Sequence, residues 1–170
     1  IDVVSGEVSR TLKTGKGMIK PTWVQPHPLK PVAYVAHNGA DEVVAVDLDA
    51  WEVTERFATG KGTSPYNLDV TPDGSTLVVT YKGSGETGIW DVETGTRRAL
   101  VENTRGVSHG VVITPDSRYA FVTAEGVGGE PGAVDVIDLS TGEKVAYADV
   151  GAQAGGIAFW KMEAGEAASR

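Results

Sequence analysis

The chain has 170 residues, with 23 acidic and 15 basic side chains, a net charge of −8 and no cysteine. With 22 glycines and eight prolines, it has the composition of a turn-rich globular chain, which excludes collagen-like, coiled-coil and disulfide-scaffold proteins. No apolar run approaches the length of a membrane span, and the acidic balance argues against nucleic acid as a partner.

An internal repeat organises most of the chain. Three similar apolar segments occupy residues 32–39, 76–83 and 119–126. The prolines in the turn before each segment are 44 and 43 residues apart. Aspartates that each close a further apolar stretch keep the same period: Asp2, Asp47, Asp91 and Asp138. A period of 40 to 50 residues with several short strands is typical of β-propeller blades.

Each period contains four short β-patterned pieces separated by turn residues. In the second repeat they are 67–70, 76–81, 87–91 and 97–101. They are rich in β-branched residues, which favours strands. The Asp-x-x-Thr-Gly sequences predict hairpin turns in which the aspartate accepts backbone N–H bonds, while Gly95 and Gly142 adopt positive φ.

The motifs of the repeat resemble those of the YVTN-type β-propeller family. The resemblance rests on residues 33–39, 77–83 and 120–126, on the Thr-Pro-Asp-Gly/Ser turns before the last two, and on 134–142. The first repeat departs from the pattern at 26–31. The resemblance implies four-stranded antiparallel blades in a ring of seven or eight. It also implies an exported bacterial or archaeal protein, located in the periplasm or outside the cell.

The repeat predicts a partial propeller over residues 1–160, of about 3.75 blades. Its expected parts are a two-strand blade remnant at 1–15, whole blades at 20–60, 63–103 and 107–150, and a single closing strand at 155–160; a polar tail follows at 161–170. A partial ring of this kind would leave the apolar faces of its terminal blades exposed to solvent. Two completions stay open: missing N-terminal blades, consistent with a chain that begins at Ile1, or a second copy of the chain.

The best candidates for ligand binding lie at the channel mouth. His109 is expected at the start of an innermost strand, where Tyr66 and Thr22 occupy the corresponding places in the other blades. A single histidine supplies too few ligands for a metal site, because zinc and copper sites need three or four donors. The sequence therefore predicts neither a metal site nor a catalytic residue, and it identifies no cofactor.

A glycine-rich insertion at 126–132 is predicted to extend the connection between the second and third strands of the third blade. Gly128 and Glu130 are its candidate contacts with a partner, and a flexible surface loop is the alternative.

Other aromatic side chains are expected to have structural positions. His27, between two prolines, is predicted to be an exposed loop residue, and His37 to be packed or at the rim. Trp90 and Trp160 are predicted to pack between blades.

Because every repeated polar residue has a structural explanation, the sequence favours a non-enzymatic propeller scaffold that binds a protein or a small ligand. The alternative is a metal- or cofactor-dependent propeller enzyme, oxidoreductase-associated or lactonase-like, with its site over the channel and His109 among the contacts. No serine lies in a Gly-x-Ser-x-Gly elbow.

Overall fold

The structure, a computed structural model, describes residues 1–162, and within that range it contains twelve β-strands and no helix. The strands form three four-stranded antiparallel sheets, in which each strand pairs with the next along the chain. The first sheet consists of β1 (Pro21–Pro26), β2 (Val32–His37), β3 (Glu42–Asp47) and β4 (Glu52–Ala58). The second consists of β5 (Pro65–Val70), β6 (Thr76–Tyr81), β7 (Glu86–Asp91) and β8 (Arg97–Glu102). The third consists of β9 (Val107–Ile113), β10 (Tyr119–Glu125), β11 (Gly132–Asp138) and β12 (Glu143–Val150).

The three sheets pack against one another in a propeller-like arrangement. β1 contacts β5 and β5 contacts β9, so the first strands of successive sheets lie side by side. One apolar cluster joins the first and second sheets, and another joins the second and third. The predicted all-β fold of four-stranded antiparallel sheets is confirmed. No helix among residues 1–162 has the length and apolar character needed to cross a membrane.

The repeated aspartates close the hairpins between the third and fourth strands. The Asp91 carboxylate accepts the Thr94 N–H at 2.8 Å, and the Asp138 carboxylate accepts the Ser140 N–H at 2.9 Å. Gly95 and Gly142 follow with φ of 66° and 74°, a region that side chains enter at a cost. The predicted turn chemistry is confirmed.

An aromatic row fills the space between the first two sheets. The Phe57 ring lies 6.1 Å from Tyr34 and 6.0 Å from Trp90, and the Trp90 indole N–H donates to the buried Tyr81 hydroxyl at 2.9 Å. The prediction for Trp90 is confirmed. That for Trp160 is wrong, because its side chain is 87% exposed.

The predicted strands at the two chain ends are not formed. Among the described residues, none of 1–20 or 151–162 belongs to a strand. A strand needs a ladder of backbone hydrogen bonds with a neighbour, and these segments make only a few bonds with the outer sheets, such as that from the Gly126 N–H to the Ala152 carbonyl. Gly155 nevertheless holds the position that His109 has in the third sheet. The Thr123 hydroxyl donates to the Gly155 carbonyl, and the Thr80 hydroxyl of the preceding repeat donates to the His109 carbonyl in the same way. From residue 163 onward, the predicted tail lies outside the described residues.

His27 is buried, so its predicted exposure is wrong. Its Nδ1 accepts the backbone N–H groups of Leu29 and Lys30 at 3.0 and 3.1 Å. The ring hydrogen therefore lies on Nε2, which donates to the Gly74 carbonyl of the second sheet at 3.1 Å. The turn that carries His27 is therefore bonded to the neighbouring sheet, which an isolated sequence window does not show.

Candidate functional site

Thr22, Tyr66 and His109, the predicted channel-mouth residues, each lie in the first strand of a sheet, at a point where the pairing register with the second strand shifts. The partners of β1 shift between Pro21 and Trp23, which spans Thr22. Those of β5 shift between Pro65 and Leu68, which spans Tyr66, and the pairing of β9 shifts across His109. Such irregularities release a residue from regular pairing and change the direction of its side chain.

The three residues form a continuous row across the three sheets. The Thr22 hydroxyl donates to the Tyr66 carbonyl at 2.7 Å. The Tyr66 ring lies against the His109 ring, with 4.4 Å between their centroids. The Lys82 ammonium lies 4.6 Å from the Tyr66 ring centroid, within the range of a cation–π interaction. The structure thus brings all three predicted mouth residues together.

His109 is held between charges of opposite sign. Its Nε2 lies 3.2 Å from the Glu125 carboxylate. Partial burial and the nearby Lys82 ammonium lower the pKa of His109 below its usual 6.5, and Glu125 opposes them. The neutral ring is therefore favoured at pH 7. The neutral ring carries one N–H donor and one acceptor nitrogen, so it can offer either role to a ligand.

The loop that carries Gly128 and Glu130 begins directly after Glu125, so it rises from the edge of this row. Both residues are exposed. The loop is anchored at its base, where the Gly126 N–H donates to the Ala152 carbonyl at 3.0 Å. The structure places these two residues near the row without a contact that joins them to it.

A second polar cluster, in the first sheet, was missed by sequence reasoning. The Thr14 hydroxyl lies 2.8 Å from Nε2 of His37, and Nδ1 of the same fully buried ring lies 2.9 Å from the Glu42 carboxylate. Arg56 pairs with that carboxylate at 2.7 Å and donates to the Thr14 carbonyl at 2.9 Å. The one sequence signal was that His37 stands where the other repeats have Tyr81 and Ala124.

A cavity of about 370 Å³ adjoins this cluster. It is lined by Leu12, Thr14, Pro21, Thr22, Trp23, Val24 and Val35. The lining is mostly apolar, and Thr14 supplies one of its few hydroxyl groups. Among residues 1–162, no three or more His, Cys, Asp or Glu side chains come close enough to hold a metal ion.

These features define a propeller-like all-β protein with a row of polar and aromatic residues along its first strands. Matches number 775 among chains of solved structures. One of them, Kuenenia stuttgartiensis hydrazine synthase, superposes with a TM-score of 0.71 at 25% identity. The match covers 86% of this chain and 41% of that chain, so this chain spans less than half of its length. No family model and no curated protein matches the sequence.

Proposed function

We propose that the chain belongs to a YVTN-type β-propeller that works as a non-enzymatic binding scaffold. Its binding surface is the channel mouth, and its ligand is a small molecule or a segment of a protein. The repeat motifs support the family and a ring of seven or eight blades. The location of such proteins in the periplasm or outside the cell is part of the proposal.

The observation that carries the proposal is the row of Thr22, Tyr66 and His109, each placed in a register break. The backbone departs from regular pairing at each of the three positions. The row combines an aromatic face, an ammonium group and a carboxylate within a short distance. Such convergent polar groups beside an aromatic ring fix the orientation of a ligand.

A fragment library screened by amide chemical shifts tests the proposal. Binders should shift the amides of residues 64, 66–68 and 107–110 together. Tyr66→Ala should weaken them roughly tenfold, because an aromatic contact supplies on the order of 1 kcal/mol or more. Tyr147→Ala is the matched control, since Tyr147 is an exposed tyrosine on β12. Binders that map elsewhere, or that survive Tyr66→Ala unchanged, would contradict the proposal.

A second candidate function is a propeller hydrolase, and a specific arrangement in the first sheet favours it. Thr14, His37 and Glu42 have the order hydroxyl, imidazole, carboxylate at hydrogen-bond distances, which is the geometry of an activated nucleophile. In this function, His37 takes the proton of the Thr14 hydroxyl as the Thr14 oxygen attacks an ester carbonyl, and Glu42 stabilises the imidazolium. The C–O bond of the ester then breaks, the imidazolium gives its proton to the leaving alcohol, and water, activated in turn by His37, hydrolyses the acyl-threonine and restores the Thr14 hydroxyl.

Covalent labelling separates the two functions. A hydrolase would react with a fluorophosphonate at Thr14, forming a phosphorus–oxygen bond as fluoride leaves. Thr14→Val and His37→Ala would abolish the label, while Thr11→Val, an exposed threonine nearby, would keep it. Absence of labelling in the native chain favours the scaffold.

A further inference from the structure

One position of the repeat carries a different charge in each sheet, and it lies beside the row of Thr22, Tyr66 and His109. It is the last but one residue of each repeated apolar segment, namely Asn38, Lys82 and Glu125. Residues that serve the turns are alike at equivalent positions, as the hairpin aspartates are. The neutral, positive and negative side chains at this position are therefore not set by the repeat itself.

The Lys82 ammonium group has no anionic partner. Asn38, at the equivalent position, donates from Nδ2 to the Ser64 carbonyl of the next sheet at 3.1 Å. Lys82 makes no such bond and no ion pair with any residue in the described part of the chain, and its ammonium lies 4.6 Å from the Tyr66 ring centroid. Because an ammonium group carries three N–H donors, Lys82 can donate to an anion that reaches this ring.

The Glu125 carboxylate also lacks a partner of opposite charge. Its contact is Nε2 of His109, at 3.2 Å, and no lysine or arginine among residues 1–162 lies within ion-pair distance of it. The His109 ring is mostly neutral at pH 7, as argued above, so it does not offset the charge of Glu125. The Glu125 side chain is 25% exposed, which leaves it accessible to a cation.

The two charges are held apart by a pair of rings. Lys82 contacts Tyr66, Tyr66 contacts His109 with 4.4 Å between the ring centroids, and His109 contacts Glu125. The order is therefore ammonium, two rings, carboxylate. These residues belong to the second and third sheets, each of which has its four strands, and the first strands of the two sheets lie against each other.

We propose that the ligand of this site is a small zwitterion whose carboxylate and ammonium groups are separated by a planar apolar spacer. Its carboxylate binds Lys82, its ammonium binds Glu125, and its spacer lies along the Tyr66 and His109 rings. Each charge of the site then gains a charge-assisted hydrogen bond, and no partly buried charge is left unpaired. An α-amino acid is too short, because both of its charged groups are attached to one carbon. The inference rests on the proposed function and selects the small molecule from its two kinds of ligand.

A set of matched probes tests the zwitterion. Titrations followed at the amides of residues 66–68 and 107–110 compare 4-(aminomethyl)benzoate with benzoate and benzylamine, which share its ring but carry one charge each. The zwitterion should bind roughly tenfold tighter or more than either, because a hydrogen bond to a charged group contributes about that factor. Glycine, which has both charges without the spacer, should bind more weakly than all three.

Charge-removing variants assign each end of the probe. Lys82→Met should reduce the affinity for 4-(aminomethyl)benzoate to that for benzylamine, and Glu125→Gln should reduce it to that for benzoate. Benzylamine should bind Lys82→Met, and benzoate should bind Glu125→Gln, as each binds the native chain, which shows that the fold is intact. The controls Lys61→Met and Glu102→Gln, at exposed side chains, should leave all affinities unchanged.

The outcomes separate this inference from the proposed function. Shifts at the same amides with equal affinity for the zwitterion and the singly charged probes would overturn the inference and leave the binding site standing. Tighter binding of a capped peptide with one lysine and one glutamate would overturn it in favour of a protein segment. If neither these probes nor uncharged benzyl alcohol shifted the amides, both the inference and the proposed function would be wrong.

Discussion

His109 is flanked by a cation and an anion that act on its charge in opposite directions. Because burial and Lys82 lower the pKa of His109 and Glu125 raises it, Lys82→Met should move the pKa up and Glu125→Gln should move it down. The carbon-bound ring protons, followed by NMR from pH 4 to 9, report both shifts. The resonances of His27, at the other end of β1, should not respond. Equal titration of His109 in both variants would show that neither charge acts on the ring.

The same group contributes to stability with a definite sign. The folded pKa of His109 lies below the unfolded value of 6.5. The folded state therefore binds fewer protons, and this contribution is complete above pH 6.5 and is lost as the pH falls through the folded pKa. Since the ring is partly exposed, solvent screening keeps the contribution small.

Tyr81 satisfies the buried indole N–H of Trp90. Tyr81→Phe removes the acceptor of that 2.9 Å hydrogen bond while the aromatic ring stays. The unpaired indole N–H should then destabilise the fold by about 1 to 3 kcal/mol, measured as a lower urea midpoint with an unchanged slope. Tyr147→Phe, on an exposed ring, should change the midpoint little. A Tyr81→Phe midpoint equal to the native one would mean that another acceptor reaches Trp90.

At the scale of elements, His37 links the segment 1–20 to the first sheet. The amides of Asn38 and Gly39 donate to the carbonyls of Lys20 and Ile19 at 3.1 and 2.9 Å, just beyond the His37 ring. Thr14→Val removes the hydroxyl that holds this ring, so the segment should open more often.

Hydrogen exchange measures that opening. The amides of Asn38 and Gly39 should exchange several-fold faster in Thr14→Val, while Thr11→Val should leave them unchanged. The interior amides of β6 provide an internal standard, because they belong to the second sheet. Unchanged exchange at residues 38 and 39 would show that the segment is held without Thr14.

Which elements the sequence could predict depends on how far apart their partners lie. The turn at Asp91 was predictable because its hydrogen bonds reach no further than Thr96 and its glycine is Gly95. His27 was mispredicted because its partner, Gly74, lies 47 residues away on another sheet. The row of Thr22, Tyr66 and His109 lies between these cases. Its members followed from the period, but the register breaks that hold them depend on strand pairing, which no local window contains.

At the scale of the whole molecule, the period predicted three repeated units, and it also predicted strands at both ends that the structure lacks. The motif around Asp2 still forms its turn, with the Val4 and Ser5 N–H groups donating to the Asp2 carboxylate at 3.0 and 2.8 Å. Local turn chemistry therefore survives where strand pairing does not. A hairpin turn needs only its own residues, whereas a blade strand needs a neighbouring sheet.

The repeated turns also make the whole fold sensitive to acid. Hydrogen bonds from the Thr94 backbone and the Ser140 hydroxyl lower the pKa of Asp91 and Asp138 below 3.8, and other turn aspartates are shifted the same way. Burial raises the pKa of Asp69, which opposes the effect of the turn aspartates on the pH dependence of stability. Since the unfolded chain binds these turn protons more readily, the stability they supply is present above about pH 3.8 and is lost as the pH falls through the folded values.

Urea midpoints measured from pH 6 to pH 2.5 test whether the turn aspartates set the pH dependence of stability. They should fall below pH 4, and the double variant Asp91→Asn with Asp138→Asn should flatten the fall, because its turns no longer lose a charge. The control pair Glu93→Gln with Glu143→Gln changes the net charge equally at exposed sites beside the same two turns and should keep the native slope. If both pairs flattened the curve alike, general charge repulsion rather than turn hydrogen bonding would set the acid limit of this protein.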